Sequence, residues 1–266
     1  MSALSDYLEN VLLNHQFRNT AYTPPTTLYV SLHTIDPGES GVGGEIVSNG
    51  YTRALIANNS TNFPACSLTG AATKLNATTI SFPTASAAWG LITHWAIYDH
   101  PTNTTNMLAH GPLFASRSVT AGDTPRISSG FLTMTMNNSS GGGLTTSSKR
   151  KLLDHVFGAI IYTPPTTIYT GIGTALTDEN LTEWADSSYT RMSTVFTAPA
   201  AGATENQFSV QYSGNVATPI TITHLGVWDD ATQGRLLAVG PLSISRGLTI
   251  GDTVDLQVGA LDIALL

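Results

Sequence analysis

Six residues occur twice, letter for letter, in this chain: Tyr22-Thr23-Pro24-Pro25-Thr26-Thr27 and Tyr162-Thr163-Pro164-Pro165-Thr166-Thr167, an offset of 140 (162 − 22). Just ahead of each lie Leu12-Leu13-Asn14-His15 and Leu152-Leu153-Asp154-His155, at the same offset. The matches continue in order. Tyr51-Thr52-Arg53 returns as Tyr189-Thr190-Arg191, Thr93-His94 as Thr223-His224, Asp99 as Asp229, and Gly111-Pro112-Leu113 as Gly240-Pro241-Leu242. Ser116-Arg117 and Gly122-Asp123-Thr124 close the series as Ser245-Arg246 and Gly251-Asp252-Thr253, where the offset has shrunk to 129 (251 − 122). Such a chain folds as two copies of one plan. The lost residues fall between matched blocks, where Pro, Gly, Asn and Ser are dense, as surface loops require. We expect a first module over 1–138, a flexible Ser/Gly linker over 139–143 and a second module over 144–266.

Each copy opens on a helix. Leu4, Leu8, Val11, Leu12 and His15 fall at helical spacing behind Ser5, an N-cap residue with Asp6 in the first turn. Copy two repeats this less cleanly from Ser147 to Phe157. Tyr-Thr-Pro-Pro ends the helix, because proline cannot continue the ladder and forces the residue before it into extended geometry. Strands follow at Leu28 to Leu32, Ile168 to Ile172, Thr79 to Phe82 and Ile220 to Ile222, all rich in β-branched or aromatic residues. Ile92 to Tyr98 and Thr223 to Trp228 lead through turns opened by Asp99 and Asp229 into Leu108 to Leu113 and Leu236 to Leu242, so each pair reads as a hairpin. Val254 to Val258 alternates at period two and Phe131 to Met136 nearly does. The expected fold is mainly β: two tandem antiparallel β-sandwich domains of jelly-roll-like kind, each preceded by a short α-helix.

Composition narrows the partners. Charged residues are 11% of the chain, against about 25% in an ordinary soluble protein. With 11 basic and 18 acidic residues the net charge is −7, which opposes broad binding to nucleic acid or to an anionic membrane. No apolar run is long enough to span a bilayer and the start lacks a signal-peptide pattern, so folding in a cytoplasm is expected. Cys66 is single and reads as a small buried apolar residue.

The search for chemistry yields little. There is no Gly-x-Ser-x-Gly elbow. Gly41-Val42-Gly43-Gly44 lacks phosphate-loop spacing, and Asp36-Pro37-Gly38-Glu39 lacks the alternating ligands of a calcium loop and reads as a turn. His94 with Asp99, recurring as His224 with Asp229, is the best acid–base pair, but residues five apart on one strand face opposite ways. His94, His100 and His110 are a weak zinc set, since only His94 has a counterpart. Trp89, Trp95, Trp184 and Trp228 read as core, with a sugar-stacking surface as the alternative. Arg53 and Arg191 are among few cations, each suited to an acidic partner in its own module or across an interface. The candidate structural or interface residues are therefore Tyr22, Pro24, Pro25, Arg53 and His94, with Tyr162, Pro164, Pro165, Arg191 and His224; no catalytic, metal or cofactor residue is expected.

Taken together, Leu4-Ser5-Asp6-Tyr7-Leu8-Glu9-Asn10, Tyr22 to Val30, Asp36 to Glu39, Phe82-Pro83-Thr84-Ala85, Trp89-Gly90 and Ala121-Gly122-Asp123-Thr124 resemble a group of tailed-bacteriophage tail-fibre or virion structural proteins, each about one copy long. Copy two matches at Leu152 to His155, Tyr162 to Tyr169 and Gly251-Asp252, but lacks the Asp-Pro-Gly-Glu and Pro-Thr-Ala stretches. The resemblance implies a non-enzymatic part of the virion exterior, tail-fibre-like or a capsid decoration (cement) protein, assembled in the host bacterial cytoplasm. Its implied partners are other virion proteins, a major capsid or tail protein, and further copies of itself. The alternative is a receptor module recognising a host surface glycan.

Overall fold

The computed structural model describes residues 3–137, 142–177, 180–186, 189–213 and 219–265. Helix α1 covers Asp6–Phe17 and α2 covers Thr146–Val156. Ser5 does cap α1: its Oγ accepts the Leu8 amide proton at 3.2 Å, three residues on. In copy two the cap is Thr145, whose Oγ1 accepts the Ser148 amide at 3.2 Å. In chain order the strands of the first copy are β1 (Ala3–Leu4), β2 (Thr27–His33), β3 (Ala54–Ala57), β4 (Thr73–Leu75), β5 (Ile80–Ser81), β6 (Gly90–Tyr98), β7 (Met107–Val119), β8 (Arg126–Ile127) and β9 (Thr133–Thr135). The second copy supplies β10 (Gly143–Leu144), β11 (Ile168–Thr177), β12 (Asn180–Glu183), β13 (Met192–Thr194), β14 (Ala203–Glu205), β15 (Val210–Ser213), β16 (Ile220–Trp228), β17 (Leu236–Leu248), β18 (Thr253–Leu256) and β19 (Asp262–Ala264).

The chain is mainly β and tandem, and every strand pair among the described residues is antiparallel. The first copy's main sheet runs β1-β7-β6-β2-β3, with short ladders β4/β9 and β5/β8. The second repeats the plan as β10-β17-β16-β11-β12, with β13 also on β11 and ladders β14/β19 and β15/β18. The central strands are the most buried: β2 sinks Leu28, Val30 and Leu32, and β6 buries Trp95 through Tyr98. Both expected hairpins form, β6/β7 and β16/β17.

Several expectations need revision. The stretch from Ile220 to Trp228 is one strand, although its ladder to β17 shifts register at Thr223, between Ile222 and His224. The return strands do not stop at Leu113 and Leu242 but run on to Val119 and Leu248. Of the expected linker, 139–141 lies outside the described residues, and Gly143 enters strand β10 opposite Val239.

The chain packs as two compact units, and the bodies of the two repeats each hold a piece of the other. One unit comprises 1–9, 23–136 and 150–162; the other comprises 10–22, 137–149 and 163–266. The repeat boundaries 1–138 and 144–266 stand as our proposal for the sequence copies, whereas the packed units have exchanged their helix-to-strand corners. In the first unit the corner from copy two is held by Asn58, whose Nδ2 donates to Val156 O at 2.7 Å and whose Oδ1 accepts the Gly158 amide at 2.6 Å. Phe157 packs on Phe63 with ring centroids 6.4 Å apart. In the second unit the corner from copy one packs Phe17 on Phe196 at 5.1 Å, while Arg18 Nε donates to Phe196 O at 3.2 Å. Inside each corner one bond is shared by both copies: His15 Nδ1 accepts the Tyr22 amide and His155 Nδ1 the Tyr162 amide, each at 3.1 Å.

Candidate functional site

The recurring polar residues form one part-buried clamp in each unit. In the first, Arg53 Nε and Nη2 each lie 2.8 Å from a Glu45 carboxylate oxygen, and Nη1 donates to the carbonyls of His100 and Asn103, both at 2.8 Å. The guanidinium lies 3.6 Å from the Tyr98 ring centre. The Tyr51 hydroxyl accepts the Leu32 amide at 3.0 Å and donates to Glu45 at 3.3 Å; burial and that carboxylate push its ionisation far up. The second unit repeats this with Arg191 on Glu183, on the carbonyls of Asp230 and Gln233 and over Trp228, and with Tyr189 between Ile172 and Glu183. Sequence reasoning named both arginines but missed both glutamates. Their signal was a Glu eight residues ahead of each Arg, Glu45 and Glu183, where the surrounding loops share no other letters. The clamp ties the hairpin turn to the sheet, and its donors are spent on that task.

The other predicted residues are also absorbed. Pro24 is buried and Pro25 half-buried; in copy two Pro164 is half-buried and Pro165 buried. Pro25 O accepts from Asn58 at 2.8 Å. His94 Nδ1 bonds its neighbour Thr93 at 2.8 Å, as His224 does Thr223 at 2.7 Å. Asp99 accepts from the Asn106 side chain at 2.9 Å, and Asp229 from the Arg235 amide at 2.6 Å, so these carboxylates close the base of each hairpin instead of bonding the turn's own first residues. His100 serves the turn, accepting the amides of Thr102 and Asn103. His110 and His94 both reach Asp36, at 3.1 and 3.9 Å. Among the described residues no group of three His, Cys, Asp or Glu is placed to hold a metal ion. The four tryptophans are all core, none more than 6% exposed, so they offer no stacking surface. Among the described residues one Ser–His contact is present, Ser31 Oγ to His33 Nε2 at 2.7 Å, but both side chains are fully buried and His33 Nδ1 is taken by Gly43 O. Burial also holds His33 below the ordinary imidazole range.

Each unit also carries a surface groove, and the two are equivalent in position with unlike linings. In the first unit Ile92 pairs with Arg117 and His94 with Pro112, so β6 advances two residues while β7 advances five (117 − 112). The bulge expels Leu113 to Ser116 from register, as bulges re-aim side chains. Phe114 is thereby left 85% exposed, meeting the half-exposed Phe131 edge to face at 5.4 Å. These rings, with Arg117 and Arg126, border a groove of about 300 Å³. The loop bearing Phe131 is fixed by Asn76, which accepts the Leu132 amide at 2.8 Å and donates to Ser128 O at 2.9 Å.

The second unit carries the same frame. Ile222 pairs with Arg246 and His224 with Pro241, again two residues against five (246 − 241). Asn206 takes the Asn76 role, accepting the Leu261 amide and donating to Gln257 O, both at 2.8 Å. Continuing the 129-residue offset sets Phe114 against Ser243, Arg126 against Asp255 and Phe131 against Ala260. The groove here is about 460 Å³ and its lining includes those three replacements. The sequence reading missed all six, because residues that differ between copies are invisible to a search for recurrence.

A family model described as Podophage GP4 fiber I protein gp80 matches the chain twice, over residues 3–135 and 143–264. No curated protein matches it.

Proposed function

Since this chain belongs to the Podophage GP4 fiber I protein gp80 family, and is thus a bacteriophage fibre or virion structural protein, we propose that it works on the outside of the particle without catalysis, through protein–protein contacts. The observation that carries this reading is the fate of the recurring polar groups. Arg53, Glu45 and Tyr51, like Arg191, Glu183 and Tyr189, are consumed in holding the fold together. Exposed groups remain in the two grooves, Phe114, Phe131 and Arg126 in the first and Ile244 and Asp255 in the second. Exposed aromatic and Arg side chains are those enriched at protein interfaces. We take the position to be fibre-like, attached to other virion proteins assembled in the host cytoplasm. No helix among the described residues is long and apolar enough to cross a membrane.

Gold-labelled antibody against the chain, imaged on purified particles, tests this. Label at the tail or its appendages is expected. Label spread over heads would assign the chain to capsid decoration, and absence from purified particles would remove the virion reading.

A further inference from the structure

The two grooves complement each other at three of the positions where they differ, while the exposed Ile244 of the second stands where the first has Ala115. The first presents two aromatic knobs, Phe114 and Phe131; the second has Ser243 and Ala260 in their places and a larger hollow, about 460 against 300 Å³. The first is lined by Arg117 and Arg126 and by no acidic residue, a formal +2. The second is lined by Arg246, Asp255 and Asp262, so +1 − 2 = −1. Arg117 and Arg246 stand at the same place and do not discriminate, while Arg126 and Asp255 do. Among the described residues Arg126 and Asp255 each lack a salt bridge, and both are exposed. An unpaired cation beside an 85% exposed phenylalanine, in a chain with only 11 cations, is an unusual surface to leave uncovered.

We propose that the groove of the first unit docks on the groove of the second unit of another copy of this chain, with Phe114 and Phe131 entering the hollow beside Ser243 and Ala260 and Arg126 facing Asp255. This deepens the structural role proposed above by naming a partner, a second copy. Because the two faces differ, the contact is heterologous: each copy offers one knob face and one hollow face, so copies join into a closed ring or an extending row. The frames are alike and pre-formed, each pinned by its bulge and its asparagine, so docking requires little reordering.

Sedimentation of the full-length chain over a concentration series, at low and high salt, tests the proposal. Association that rises with concentration and weakens with salt is expected. Arg126→Asp alone and Asp255→Arg alone should each weaken association by about tenfold or more. The double variant carrying both should recover most of it, which also shows that the altered surface still folds. Phe114→Ser should weaken association at either salt concentration. A wild-type chain that stays a single copy at every concentration overturns the proposal, as does a double variant no better than the singles. Either result leaves the virion location intact, since particle labelling reads that independently.

Discussion

Lys74 Nζ lies 2.7 Å from Asp154 Oδ1 with the lysine side chain wholly buried, eighty residues apart in sequence and on different copies of the repeat. The same carboxylate oxygen accepts the Cys66 amide at 2.8 Å. At the equivalent places the other unit has Thr204 and Asn14, both neutral. The charge pair therefore distinguishes one helix-to-strand corner from the other: the Asn14 corner against Lys74 would leave a buried ammonium without a counter-charge.

Removing one partner exposes that cost. Asp154→Asn should destabilise the chain by about 3 kcal/mol or more, because it leaves the Lys74 charge buried. Lys74→Thr with Asp154→Asn, which installs the other unit's residues, should cost much less than the sum of the two singles. Urea denaturation of the three variants gives the coupling. A double variant as unstable as the sum of the singles would mean that the pair does not act as a unit.

Arg53→Lys is the sharpest probe of the clamp. Lysine keeps the charge but cannot span both Glu45 oxygens, reach two carbonyls and lie flat on Tyr98. A loss of about 2 kcal/mol is expected, read as a lower thermal midpoint, together with faster amide exchange at Leu32, whose N–H is held by Tyr51. Unchanged exchange there would show that the clamp does not brace the sheet.

Glu9 makes stability depend on pH. Burial first, then the nearby Glu39 and Asp6 carboxylates, raise its pKa from 4.5 to about 7. The folded form thus holds a proton that the unfolded form has released between those values, so stability falls as pH rises through that window. Glu9→Gln should flatten the fall, stabilising the chain by about 1–3 kcal/mol above the window and changing little below it. Denaturation midpoints across the pH series decide it, and parallel profiles for the two proteins would rule Glu9 out as the source.

Cys66 should resist alkylation. Burial, with the Asp154 carboxylate beside it, pushes its thiol up to about 12, leaving almost no thiolate at about pH 8. Iodoacetamide should label it slowly in the folded chain and readily in urea. Rapid labelling of the native protein would show that the region around Cys66 opens often.

Much of the fold was legible in the sequence because its signals are local. Ser5 before Asp6 marks a cap, Tyr-Thr-Pro-Pro ends a helix, and period-two runs mark strands. Recurrence then gave the doubling. The exchange of corners was not legible, since Leu-Leu-x-His and Tyr-Thr-Pro-Pro are the same in both copies and do not state which body they will pack against. The residues that decide it, Asn58, Lys74 and Phe196, are scattered and unrepeated. The grooves stayed hidden for a related reason. The bulge that lifts Phe114 is a register shift between β6 and β7, and spacing within a single strand does not encode register.

The exchanged corners also set an order of events during synthesis. The body of the first copy is complete on the ribosome once residue 136 has emerged, yet its packed unit still awaits residues 150–162. A nascent chain stopped at the end of copy one would carry Lys74 without Asp154 and Asn58 without the backbone of Val156 and Gly158. Truncated chains would thus remain unfinished and open to the quality-control proteases that remove half-folded polypeptides.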